Sequence, residues 1–392
     1  MVFGLDRAPQ RRVFAAFFLY SFGLGGINPR LGDIQLSMGI GEATLGLALI
    51  GGAIGTQVSL MFAGRLLEKL GERRSLLLGI PMVALMIASV SLAPNPYMMF
   101  LAMFLAGLAI GCVEIVLNVE ADRVEYQIGK RVMNRSHAFW SFGFFAAGAV
   151  SAVAKALDVD FRLHLFGMAL VIIILSTLVN WDFKPAPKRV VEEGERPRFV
   201  RPTGAILVLV AFTLSAMLLE GAGSDWSVIF MRDTFDTTPF INATAFVFGA
   251  FFQAITRFFA DGFIERFGPV RVARILLTTL GVGVCAVTFS THPAVALLGF
   301  ALMGIGTSAI FPLAVSAAAQ RTDRPAAVNV AALAQISFIT FLVAPPMLGF
   351  VAEHISIRHS FGIGIPLVIL SFLTIGALRP RAGIAEKAKA NA

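Results

Sequence analysis

Glu114 and Glu220 are carboxylic acids set inside apolar runs, at 97–121 and 203–226, each long enough to cross a lipid bilayer. An ionisable group at that depth costs about 2.5 to 3.5 kcal/mol on insertion-based scales, and it is tolerated where it faces a cavity or a partner. The chemistry open to it is proton exchange or ion pairing. Gly107, Gly111, Glu114 and Asn118 are spaced four, three and four residues apart and so share one small, polar helical face. A carboxyl there that gains and loses a proton as its surroundings change from one side to the other is what coupling to a proton gradient requires. A carboxyl neutralised by a structural partner is the alternative reading. Glu220 is the second candidate for proton or solute contact, and Gly221 and Gly223 loosen the helix beside it. Glu120 reads as solvated or salt-bridged, and His137 as a capping residue with a proton-relay part open to it.

Polar and aromatic side chains at mid-helix depth would shape a site for a hydroxylated solute: Tyr20, Asn28, Gln57, Asn118, Trp140, Ser141, Asn242, Gln253 and Gln335. Each reads otherwise as interhelical packing or an interfacial anchor. There is no Ser/His/Asp set, no Cys/His cluster and no metal-ligand spacing, so no enzyme, metal site or cofactor is expected. The glycine-rich runs at 46–55 and 299–306 lack the Lys-Ser/Thr ending of a nucleotide loop and read as places of close helix approach. Cys112 and Cys285 both lie in apolar runs and read as packing residues rather than a disulfide.

The elements that must position these groups are membrane-spanning helices. With 57% hydrophobic residues, 36 Phe and only 14% charged residues, a chain of this length has too little polar surface for a soluble globule. Its mean hydropathy is +0.80. Twelve apolar runs are of bilayer length, near 12–31, 43–66, 75–94, 97–121, 136–157, 163–181, 203–226, 241–264, 271–290, 293–317, 327–351 and 360–378. The net charge of +8 does not indicate nucleic acid, because 26 of the 32 Lys and Arg fall in alternate loops and both termini. Five (Arg30, Lys155, Arg162, Arg232, Arg358) fall on the opposite side, and Arg257 lies within a run. That asymmetry places both termini in the cytoplasm, with the first run kept as a helix rather than a cleaved signal. The segment 182–202 carries four prolines and dense charge, and reads as a linker between an N-terminal bundle at 1–181 and a C-terminal bundle at 203–378. Residues 379–392 read as a polar cytoplasmic tail.

Between the second and third runs lies Gly64-Arg65-Leu66-Leu67-Glu68-Lys69-Leu70-Gly71-Glu72-Arg73-Arg74, and 197 residues later comes Asp261-Gly262-Phe263-Ile264-Glu265-Arg266-Phe267-Gly268-Pro269-Val270-Arg271. Glu68 matches Glu265, Gly71 matches Gly268 and Arg74 matches Arg271; the first position differs, with Asp261 opposite Gly64. A repeat of half the chain is the mark of a transporter built from two similar halves. The motif resembles the loop signature of the major facilitator superfamily, with Glu68 where Asp is usual. Residues 220–227, 257–271 and 118–141, with Asn28-Pro29-Arg30 and Pro345-Pro346-Met347-Leu348-Gly349, resemble the YbjJ-like bacterial inner-membrane permeases over nearly the whole chain.

The resemblance implies an all-α membrane protein of twelve transmembrane helices in two pseudo-symmetric six-helix bundles, working as a monomer by alternating access. Its central cavity is expected between helices 1, 4, 7 and 10. A fainter similarity to fucose-type sugar/proton symporters implies proton-coupled symport of a sugar-like or other small polar solute, with Glu114 or Glu220 as proton carrier. Helix 5 lacks the Gly-Pro of the superfamily's antiporter signature, which favours symport or uniport. Gly64, Glu68, Gly71, Arg74, Asp261, Glu265 and Gly268 are assigned to gating. Arg257 joins them through an expected pairing with Asp261 one turn away, and Arg30 and Asp225 are expected to pair as an outer gate. Proton-driven efflux of amphiphiles and a non-transporting sensor or scaffold are the rival readings.

Overall fold

The computed structural model describes residues 8–129, 132–187 and 201–379. The greater part of the expected linker, 188–200, and the tail from 380 onward lie outside the described residues. Among the described residues every regular element is helical, and these elements form twelve spans in chain order. The first is α1 (Pro9–Gly25), a 3-10 turn (Asn28–Arg30) and α2 (Leu31–Met38); the second is α3 (Glu42–Leu60) with α4 (Ala63–Leu70). Single helices follow: α5 (Glu72–Val90), α6 (Pro96–Ile128), α7 (Met133–Ala156) and α8 (Phe161–Asn180). The second half opens with α9 (Gly204–Thr234), α10 (Pro239–Phe267) and α11 (Pro269–Phe289). Three broken spans end it: α12 (Pro293–Thr307) with α13 (Ile310–Ala319), α14 (Ala326–Ser337) with α15 (Ile339–His354), and α16 (Ile357–Gly362) with α17 (Gly364–Thr374). Ten of the spans are long and apolar enough on their own to cross a membrane; the first two complete the twelve.

The helices outrun the apolar segments read from sequence. α6 continues to Ile128 and α9 to Thr234, beyond the expected ends at 121 and 226. Hydropathy sees only the part of a helix that needs lipid, whereas backbone hydrogen bonding carries the helix on into the interface. Side-chain caps and prolines fix several starts: Asn95 accepts from the Met98 N–H, Asp160 from Arg162 and Leu163, and Thr238 from Ile241.

The internal repeat is also a repeat of geometry. Gly71 ends α4 at φ 73°, ψ 157°, and Gly268 ends α10 at φ 80°, ψ 157°. That region of backbone space is essentially closed to residues with a Cβ. The Gly71 N–H donates to the Leu67 carbonyl and the Gly268 N–H to the Ile264 carbonyl, the same turn displaced along the chain. Helix approach repeats as well. A Cβ on Gly107 would lie 2.2 Å from the Gly52 carbonyl oxygen, and one on Gly304 would lie 2.1 Å from that of Gly249. Between lipid-immersed helices there is little hydrophobic drive to associate, so backbone contact at small residues supplies the attraction.

Two lateral seams hold the halves together. α3 meets α15 where Gly46 packs on the Pro345 carbonyl and Gly349 on the Glu42 carbonyl. α7 meets α10 through the ring pairs Phe144–Phe246 and Phe145–Phe251, with centroids 5.1 Å apart in each. The end of the bundle that carries residues 182–187 is the linker end, and the opposite one is the distal end.

Gly107→Ala and Gly304→Ala should each lower the melting temperature of the detergent-solubilised protein, by an overpacking cost of about 1–3 kcal/mol. Gly167→Ala, at a site with no atom within 4 Å of the new methyl, should leave it unchanged. Thermal unfolding monitored by tryptophan fluorescence reads all three variants.

Candidate functional site

Glu114 and Glu220 stand at the two ends of one polar chain that crosses between the halves. Tyr20, buried in α1, lies beside the Glu114 carboxyl. The Asn118 amide nitrogen donates to Glu114 Oε1 at 3.1 Å and to the Glu114 carbonyl at 2.8 Å. Its oxygen faces His137 Nε2 at 3.1 Å, which requires the proton on Nε2. The four-residue spacing seen in sequence makes the Glu114–Asn118 contact, and α7 brings in His137, set edge-on to Phe17 with centroids 5.2 Å apart. One turn along α7, the Ser141 hydroxyl donates to the His137 carbonyl at 3.2 Å and accepts from Arg257 Nη1 at 3.0 Å. Arg257 then donates from Nε to the Ser308 carbonyl at 2.9 Å, and its Nη2 lies 3.4 Å from Glu220 Oε1.

Arg257 therefore belongs to the centre of the bundle. The expected pairing with Asp261 does not form, and the cause can be read from the backbone. Pro312 stands four residues after Ser308 and has no N–H, so the Ser308 carbonyl has no helical donor and takes the guanidinium instead. A proline following a carbonyl in an otherwise apolar run was the available sequence signal.

Beside Glu220 lies a small pocket, about 30 Å³ in volume, between α7, α9, α10 and α12. Glu220 and Gln253 give it polar walls, and Gln253 donates to the Thr307 hydroxyl at 3.3 Å. Phe144, Phe246 and Phe300 give it aromatic walls, and Trp140 stacks behind Phe144 with centroids 5.1 Å apart. The three phenylalanines were missed because Phe in an apolar run is read as facing lipid. The signal was Gly148, where a Cβ would lie 2.3 Å from the Phe246 ring. Gln57 is exposed and Gln335 half-buried, and neither lines this cavity.

The distal end is closed by contacts between spans 1 and 7. The Asn28 amide donates to Asp225 Oδ1 at 3.0 Å, and Arg232 donates to Gln35 Oε1 at 3.1 Å and to the Gly32 carbonyl at 3.2 Å. Both side-chain pairs are 197 residues apart, so each joins a residue to its own repeat mate. Asn28 thus sits in the closed end rather than in the cavity. The Arg30–Asp225 pair expected there does not form. Pro29 and the 3-10 turn send Arg30 back into the first half, where it meets Asp33 at 3.0 Å and the Val159 carbonyl at 3.1 Å. Lys155 shares the same carboxylate at 2.8 Å.

At the linker end the repeated motif lies at the protein surface. Glu68, Arg74, Asp261 and Glu265 are exposed, and Gly64 has open space around it. Among the described residues no hydrogen bond or ion pair of Glu68 or Arg74 joins the halves. Glu120 is buried rather than solvated, its Oε1 accepting the Ala186 N–H at 3.0 Å and so pinning the start of the linker to α6.

Comparison with known proteins agrees with this architecture. An uncharacterized transporter, y4wD, of Sinorhizobium fredii is 28% identical over 91% of this chain and 94% of its own length. An uncharacterized MFS-type transporter of Yersinia pestis is 27% identical over 92% of each chain. Among solved structures, a D-xylose–proton symporter superposes with a TM-score of 0.72 at 12% identity, over 95% of this chain and 97% of that one. The nucleoside transporter NupG (D323A mutant) gives 0.71 at 16% identity, over 94% and 100%. These matches do not carry the narrower likeness to the YbjJ-like permeases. The sequence model of the Major Facilitator Superfamily matches twice, at residues 13–230 and 208–392. With this fold and these matches, the chain belongs to the major facilitator superfamily of membrane transporters.

Proposed function

We propose that the protein is a proton-coupled symporter of a small, sugar-like or otherwise polar solute, working by alternating access in a bacterial inner membrane. In this reading a single copy is sufficient, with bundles at 1–181 and 203–378, and the termini and linker are cytoplasmic. The conformation closed at the distal end is then the inward-facing one.

The observation that carries the reading is the polar chain from Glu114 to Glu220. The Arg257 guanidinium has Glu220 beside it as a counter-ion, at 3.4 Å. Glu114 has neutral neighbours, Tyr20 and Asn118, so a proton is the cation available to neutralise it. Glu114 carries the proton in this scheme, and the chain through Asn118, His137 and Ser141 links its state to the Arg257–Glu220 contact at the cavity wall. The solute lies against Phe144, Phe246 and Phe300, with Gln253 and Glu220 binding its polar groups. The neighbours named as carriers of D-xylose and of nucleosides support a hydroxylated ring as the cargo.

A thermal-shift screen of sugars, nucleosides and organic acids at acid and neutral pH selects the solute, because ligand binding raises stability by mass action. With that solute in proteoliposomes, Glu114→Gln should keep counterflow exchange within about twofold while uphill accumulation on an imposed proton gradient disappears. Accumulation unchanged by the substitution would remove Glu114 from the role.

Glu220→Gln and Arg257→Gln should each slow uptake by about tenfold or more, and the double variant should be no slower than the worse single one, as expected of residues that act as a unit. Multiplying effects in the same flux assay would mean that the two residues act separately.

A further inference from the structure

The second span begins at a helix start that its own half leaves uncapped. Gly41, the N-cap of α3, has extended backbone (φ −78°, ψ 174°) and no side chain to accept an N–H. The acceptor comes from the other half: Glu353, near the end of α15, places Oε2 2.8 Å from the Ala43 N–H. The approach depends on glycine, since a Cβ on Gly41 would lie 2.3 Å from that oxygen. Two further contacts set the geometry. Gly349, one turn before Glu353, packs on the Glu42 carbonyl, and Arg232 lies 3.9 Å from the Glu42 carboxylate, so Glu42 is held from both sides. A carboxylate on a helix N-terminus gains from the unbonded N–H groups and from the positive end of the helix dipole.

We propose that Glu353 is a positioning residue for transport, a helix cap supplied across the two halves that latches the distal end shut and is withdrawn each time that end opens. The proposal rests on the alternating-access reading above. When α15 and α3 separate at the distal end, the Ala43 N–H passes to water and Glu353 loses its partner. The closed state is favoured by one capping interaction, and Gly41 is glycine because any side chain there would displace the carboxylate, and a serine or aspartate would also cap α3 from within its own half.

The test reads conformation and stability separately, with nitroxide labels at Ser37→Cys and Asp236→Cys in a chain whose Cys112 and Cys285 have been replaced by Ser. Double electron–electron resonance in proteoliposomes should show a mainly short distance for the parent. Glu353→Ala should raise the long-distance population roughly fivefold, the size of one lost cap. Gly41→Ser with Glu353 in place should do the same, and Glu353→Gln, whose amide oxygen still accepts, should stay near the parent. The decisive variant is Gly41→Ser with Glu353→Ala, in which serine caps α3 locally. It should regain the melting temperature lost in Glu353→Ala and keep the long distance. Distances unchanged in Glu353→Ala beside a lowered melting temperature, or a return to the short distance in the double variant, would make Glu353 an ordinary structural cap and overturn the proposal. Because the labels report opening without any solute, failure of the latch is distinguishable from failure of proton coupling.

Discussion

A guanidinium cannot give up its charge, and Arg257 holds one in the middle of a bundle built for hydrocarbon. The surroundings of the site follow from that constraint. One side of the group is met by the carbonyl that Pro312 frees, one by the hydroxyl of Ser141 on the opposite half, and one by the carboxylate of Glu220. Because Ser141 also holds the His137 carbonyl, and His137 holds Asn118, the arginine's requirement for partners is transmitted as far as Glu114. The candidate proton site and the candidate solute site are thus parts of one hydrogen-bonded structure.

Much of the fold could be read from sequence, because lipid imposes few solutions. The twelve runs, the half-chain repeat and the glycines that end α4 and α10 follow from bilayer length and from backbone regions that only glycine enters comfortably. The face shared by Glu114 and Asn118 was legible for the same reason, since helical spacing alone puts them together.

What was not legible was the choice among partners. The i,i+4 rule offered Asp261 to Arg257, but a side chain between helices follows the nearest unsatisfied acceptor rather than the nearest residue along its own helix. Arg30 and Asp225 are a base and an acid on helices paired by the repeat, yet the turn at Pro29 directs Arg30 to Asp33 instead. The cavity's phenylalanines were hidden for a different reason. Composition cannot tell a ring facing lipid from one facing solute, and only the glycine that makes room for Phe246 separates the two.

The contacts that close the distal end have a consequence in symmetry. A residue can touch its own repeat mate only on the pseudo-two-fold axis relating the halves, so Asn28 with Asp225 and Gln35 with Arg232 mark where that axis leaves the bundle. In an assembly of two identical halves each of these positions would face a copy of itself. With two copies of the second half, Asp would meet Asp and Arg would meet Arg, and like charges would oppose closure; with two copies of the first, only uncharged amides would meet. Joining the halves in one chain lets the two copies differ, so that a donor faces an acceptor at both positions.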